Sequence, residues 1–202
     1  CLPGPNLASS EQMPLARGLH TTLVQDEDDI YIAYYDSIDG DLRLAQWNSS
    51  SSTTTWVIDG DGTDGRLEGD LGRFPSIAKV GAEFQIVYTD FSRHQFRLWT
   101  GTPGTAGSRS VIDFGLEEEL AGQRFVGAGA SLVGIQDRGV VVYQDSTHLN
   151  LVWAEQNENG WDVVTLLGEG ANGFYSDLVV TDTSAYIVSV LAELDSRGLE
   201  HP

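Results

Sequence analysis

Three aspartates stand at matching places in this 202-residue chain: Asp36, Asp90 and Asp145 each close a β-prone run, two residues after Tyr34, Tyr88 and Tyr143. A carboxylate at the head of a turn accepts backbone N–H bonds and fixes an Asx-type turn. A catalytic pair of carboxylates needs two different environments beside one substrate, which copies of one structural position do not supply. The three are expected to build turns, and no catalytic residue is assigned.

The loop from Asp59 to Asp70, DGDGTDGRLEGD, sets oxygen donors on a glycine-bent backbone, the chemistry that hard cations need. Asp59, Asp61, Asp64 and Glu68 are its candidate calcium ligands. The register departs from a calcium loop of the EF-hand kind, because Asp64 holds the sixth position where glycine belongs. An acidic, solvated connection between repeats is the other reading. No other cofactor is indicated: the phosphate-binding and dinucleotide glycine fingerprints are missing, as is the Gly-x-Ser-x-Gly elbow of serine hydrolases. His20, His94, His148 and His201 form no HxH or HxxxH pair for a transition metal.

Among the aromatic residues, Trp47, Trp56 and Tyr35 are candidates for stacking on a sugar ring, whereas Trp99 and Trp153 fall on or near inner strands and are expected to fill the core. The single cysteine, Cys1, excludes a disulfide within the chain. It heads a segment with three prolines and two glycines that has the composition of a tether, so Cys1 is the candidate site of a lipid anchor of the bacterial lipoprotein kind.

With 11 basic against 30 acidic residues the formal charge is −19, which repels nucleic acid and anionic lipid at long range. The acid is spread through turns, an arrangement that keeps strand-rich proteins apart. No run of eighteen apolar residues is present to span a membrane as a helix.

The elements that position these residues recur. Ile30 to Trp47, IYIAYYDSIDGDLRLAQW, reads as two strands around an Asp/Gly turn. It returns as FQIVYTDFSRHQFRLWT from Phe84 and as VVVYQDSTHLNLVWAE from Val140, with the aspartates 54 and 55 residues apart. Each hairpin has an opening strand before it and a closing strand after it, such as TTTWVIDG and SRSVIDFG. Four antiparallel strands per unit at a period near fifty predict an all-β fold, a β-propeller of about three and a half blades. A β-sandwich or an open repeat stack is the alternative. Residues 1–18 are expected to be the tether, 19–202 the partial propeller, and the blades to run 19–74, 75–129, 130–175 and, incomplete, 176–202. Gly115 to Gln123 is the one stretch with a helical aspect.

The run IAYYDSIDGDLRLAQW, a Trp-containing strand after it and the restart FPSI at Phe74 to Ile77 resemble the repeat of secreted or surface bacterial β-propellers. The resemblance covers about Leu19 to Val190; Arg93 to Gln95 replaces the Asp-Gly-Asp turn in the second unit, and Ala130 replaces the proline in the third. It implies a propeller fold and a place outside the cell or on its outer surface, and no single activity. An unclosed ring leaves an apolar face that further chain or a protein partner must cover. From these features the chain is expected to be a non-catalytic, protein-binding module. A carbohydrate-binding module, or part of a glycoside-processing enzyme, is the alternative.

Overall fold

The computed structural model describes residues 15–50, 53–117, 122–181 and 183–192, all of them in strands, turns and connections. Cys1 and the rest of its segment up to residue 14 lie outside the described residues.

The first blade contains β1 (Arg17–Asp26), β2 (Asp29–Asp36), β3 (Asp41–Asn48) and β4 (Thr54–Asp59). The second contains β5 (Leu71–Val80), β6 (Glu83–Asp90), β7 (Gln95–Gly101) and β8 (Ser108–Asp113). After the short strands β9 (Leu116–Glu117) and β10 (Gly122–Gln123), the third contains β11 (Val126–Ile135), β12 (Arg138–Asp145), β13 (Asn150–Asn157) and β14 (Gly160–Leu167). The fourth has β15 (Ala171–Val180) and β16 (Ala185–Ala192). Each full blade is an antiparallel meander in sequence order. The first strands lie side by side, β1 on β5, β5 on β11 and β11 on β15, and so surround the axis. This is the partial propeller that the period predicts.

Apolar runs such as VVVY form central strands because blades bury both sheet faces, and every residue of β12 after Arg138 is buried. Three apolar clusters fill the three junctions. Leu42, Ile86 and Trp99 lie between blades one and two; Val87, Phe96 and Val141 between two and three; Val142 and Leu178 between three and four. Trp99 is fully buried and donates its indole N–H to the Ala106 carbonyl, as a core tryptophan must.

Two expectations are corrected. The described ends of Gly115 to Gln123 are not helical: Gly115 has a left-handed φ of 59°, and Leu116–Glu117 pairs antiparallel with Gly122–Gln123, while residues 118–121 lie outside the described residues. The inner strands also begin earlier than the repeat suggested, at Leu71 rather than Pro75, at Val126 rather than Ala130 and at Ala171 rather than Ser176. The cause lies in two register shifts near the start of each, at Leu71/Arg73 and Arg73/Ser76 in β5. Pro75, which lacks an N–H, sits in the second shift, where no ladder bond is asked of it.

Candidate functional site at the axial mouth

The double bulge of β5 recurs in β1, β11 and β15 at corresponding positions. Its first half needs glycine: at Gly72, with φ 104°, a Cβ would lie 2.6 Å from the Leu42 Cα. The second half forces His20, Phe74, Gly129 and Tyr175 into the left-handed region, with φ of 53°, 51°, 58° and 50°. Three of these four carry side chains that pay for that conformation, at roughly 1–3 kcal/mol each. Bulges re-aim side chains, and strained backbone collects at binding and catalytic sites.

The four bulges meet at the axis. His20, Phe74, Gly129 and Tyr175 line a cavity of about 500 Å³ together with Phe125, Gln144 and Ser146. The His20 and Phe74 rings meet at a tilt of 45° with centroids 4.3 Å apart, and Tyr175 is 86% exposed. A second cavity of about 320 Å³ shares His20, Phe74 and Gly129 and extends to Ser131 and Asp177. The His20 Nε2 is buried without a hydrogen-bond partner. Burial, and after it the nearby Arg73, lowers the pKa of His20.

Beside the axis, between the loops of blades one and two, lies a groove of about 640 Å³. Tyr35, Asp39, Asp61, Glu68, Asp70 and Arg73 line it. Asp70 is its best-positioned carboxylate. Arg73 donates to both of its oxygens, at 3.2 and 2.5 Å, and the Tyr35 hydroxyl donates to Oδ1 at 2.7 Å. The Arg73 guanidinium lies 3.8 Å from the centroid of the Phe91 ring, a contact that fixes its plane. Burial, then the hydrogen bond to Asp70, raises the Tyr35 pKa to about 12, so the hydroxyl stays a donor at neutral pH.

The remaining carboxylates fall into two groups. Asp36, Asp90 and Asp145 are buried and build turns, accepting the N–H of Ile38, Arg93 and Thr147 respectively. Each also faces a cation: Asp36 faces Arg17 and Arg43, Asp90 faces Arg93, and Asp145 faces Arg124 and His148. Asp41 is buried behind Gly60, and burial raises its pKa, but it does not line the groove.

The candidate calcium loop is organised by a side chain of its own. Arg66 donates to Asp61 at 2.7 and 2.9 Å and reaches Asp64 at 3.4 Å, a guanidinium among the oxygens assigned to a cation. The Arg66 bond, ahead of the others, lowers the Asp61 pKa to about 2. Asp59 points away, accepting from Leu67 N–H at 2.7 Å and from the Tyr88 hydroxyl of the next blade at 2.7 Å. Among the described residues no three His, Cys, Asp or Glu side chains converge as metal ligands. Of the candidate stacking rings, only Tyr35 reaches the groove. Trp56 packs against the cluster between blades one and two, and Trp47, 44% exposed, pairs with Ile30 toward the opposite end of the sheet.

The axial residues were not singled out from the sequence. The signal that finds them is a column of the repeat: His20, Phe74, Gly129 and Tyr175, each two residues after Gly18, Gly72, Gly127 and Gly173. The glycine column is uniform and the next one is not.

The class defined by this geometry is a β-propeller with an axial cleft. No family model matches the sequence, and no curated protein matches it. Solved structures do. An exo-1,5-α-L-arabinanase from a bovine ruminal metagenomic library superposes at TM-score 0.51 with 11% identity, over 92% of this chain and 69% of its own. A GH43 β-1,3-galactosidase, solved with galactodeoxynojirimycin, does so at 0.57 with 9% identity, over 86% and 68%. A GH43 endo-arabinanase from Bacillus licheniformis gives 0.54 with 10% identity, over 89% and 67%. The chain thus spans about two thirds of these proteins, and at such identities the likeness establishes the fold. It also corrects the expectation of a non-catalytic, protein-binding module, because the solved structures that share the fold are glycoside-acting enzymes.

Proposed function

We propose that this chain forms the greater part of a glycoside-processing propeller that acts on polysaccharide outside the cell, its saccharide site at the axial mouth. One observation carries the reading: the same strained bulge occurs in all four inner strands, yet presents four different residues, His20, Phe74, Gly129 and Tyr175, to one cavity. A position kept for folding repeats its residue, and a position kept for a ligand does not need to.

Sugars ask for flat apolar faces beside hydrogen-bonding groups, and the axial cavity with the adjoining groove offers both. Glycoside hydrolysis asks in addition for an ionised carboxylate and a proton donor. Asp70, held by Arg73 and Tyr35, takes the ionised role, either attacking the anomeric carbon or activating water. Glu68, exposed on the same wall and without an ion pair among the described residues, takes the role of donor to the leaving oxygen.

The test is product release from arabinan, β-1,3-galactan, xylan and aryl glycosides. Hydrolysis of at least one is expected. Glu68→Gln should then slow the natural glycoside far more than an aryl glycoside, whose leaving group needs little protonation. Inactivity on the whole panel overturns the proposal.

A further inference from the structure

Two of the three junctions within the chain share one polar pair, so its halves can be sought on the two faces that have no neighbour among the described residues. At the first junction the Tyr88 hydroxyl donates to Asp59, and at the second the Tyr143 hydroxyl donates to Asp113, at 2.7 and 2.8 Å. In both, a tyrosine on the second strand of one blade meets an aspartate ending the fourth strand of the blade before. Strand register puts Tyr34 at the place of Tyr88, since Ala33 and Tyr35 pair as Val87 and Thr89 do. Tyr34 is half-buried on the outer face of the first blade, where the carboxylate would come from a preceding blade.

The fourth blade shows the complementary half. Val188 and Val190 occupy the register positions of Val87 and Thr89. Val87 and Thr89 are 0% exposed because the third blade covers them, whereas Val188 is 70% and Val190 50% exposed. The inner strands are also joined by side-chain acceptors: Leu132 N–H donates to Ser76 Oγ, and Leu178 N–H to Ser131 Oγ. Asp177, exposed, stands at that position in the fourth blade and would accept from the next inner strand.

We infer that the open side of the ring is closed by further blade-forming chain of the same polypeptide. It brings an acidic residue at the end of a fourth strand to Tyr34, a backbone N–H to Asp177 and an apolar sheet face to Val188 and Val190. The same polypeptide is the source because the arabinanases and the galactosidase hold about a third of their single chains outside the part that this chain matches. The closing blade also walls the axial cavity on the side where Tyr175 is exposed.

The test uses the native protein with all that is covalently joined to it. Tyr34→Phe is expected to lower the melting temperature about as much as Tyr88→Phe, because both hydroxyls reach a buried carboxylate. A Tyr34→Phe protein that melts with the wild type overturns the inference. A photoreactive benzoylphenylalanine in place of Val188 identifies the occupant by mass spectrometry of the cross-link. A link to a strand-forming peptide of the same polypeptide outside residues 1–202 is expected. No link, or a link to residues 1–14 or 193–202, to a second copy or to another protein, overturns it.

Discussion

The blade junctions and the axial mouth are built from the same repeat and have opposite logic. At the junctions the residue is kept with the position: Tyr88 to Asp59 and Tyr143 to Asp113 are the same bond twice. Where the bond is lost, both partners change. Leu167 stands at the place of Asp59 and Asp113, and Ser189 at the place of Tyr88. At the mouth the backbone is kept and the residue varies, from His20 through Phe74 and Gly129 to Tyr175. A buried polar pair is costly to leave half-made, so its members are held together. A cavity-lining position at a fixed, strained bulge answers to whatever occupies the cavity, so its members differ.

Substitutions at the two regions should therefore separate stability from function. The largest effect is expected from Asp59→Ala, which leaves the Tyr88 hydroxyl and the Leu67 N–H without their acceptor; Asp59 is 0% exposed. A loss on the order of 3 kcal/mol in urea denaturation is predicted. A loss under about 1 kcal/mol would break the distinction at its structural end.

A smaller effect belongs to His20, whose pKa is lowered by burial and then by Arg73. The unfolded chain takes up this proton near the ordinary histidine value of 6.5, before the folded chain does. Stability is therefore full above that pH and falls as acid is added through the interval down to the folded pKa. His20→Gln removes this component, and NMR titration of the imidazole should give a pKa below 6.5. A ring that titrates above it would show that the cavity does not shield His20.

Smaller again is Tyr175→Gly. Glycine adopts φ 50° without strain, and the ring is exposed, so stability should stay level or rise by up to about 1 kcal/mol. Saccharide binding should weaken at the same time. The smallest effect is expected from calcium, because Arg66 already sits against Asp61 and Asp64. Millimolar calcium should leave the melting temperature unchanged, and a clear rise would restore the loop as a metal site.

The fold was legible in the sequence because Tyr34, Tyr88 and Tyr143, with the aspartates that follow them, recur at one spacing and mark the hairpins directly. The turn-building role of Asp36, Asp90 and Asp145 was legible for the same reason. The start of each inner strand was hidden, since two bulges break the alternation on which strands are recognised. The site was hidden more deeply. Tyr35 was singled out for its ring, whereas its hydroxyl holds Asp70, which lies 35 residues on in the next blade. His20, Phe74 and Tyr175 are isolated in sequence and meet only when three inner strands surround one axis. Trp47 and Trp56 drew attention by type alone, and strand register takes them elsewhere.

The central claim is that the axial mouth and the groove beside it serve a glycoside rather than the fold, and turnover by Asp70→Asn tests it most directly. Asparagine keeps an acceptor for Tyr35 and Arg73 while removing the charge. With the best substrate of the panel, the rate is predicted to fall by about 100-fold or more, with a melting temperature within a few degrees of the wild type. Wild-type turnover by a folded Asp70→Asn protein would contradict the account.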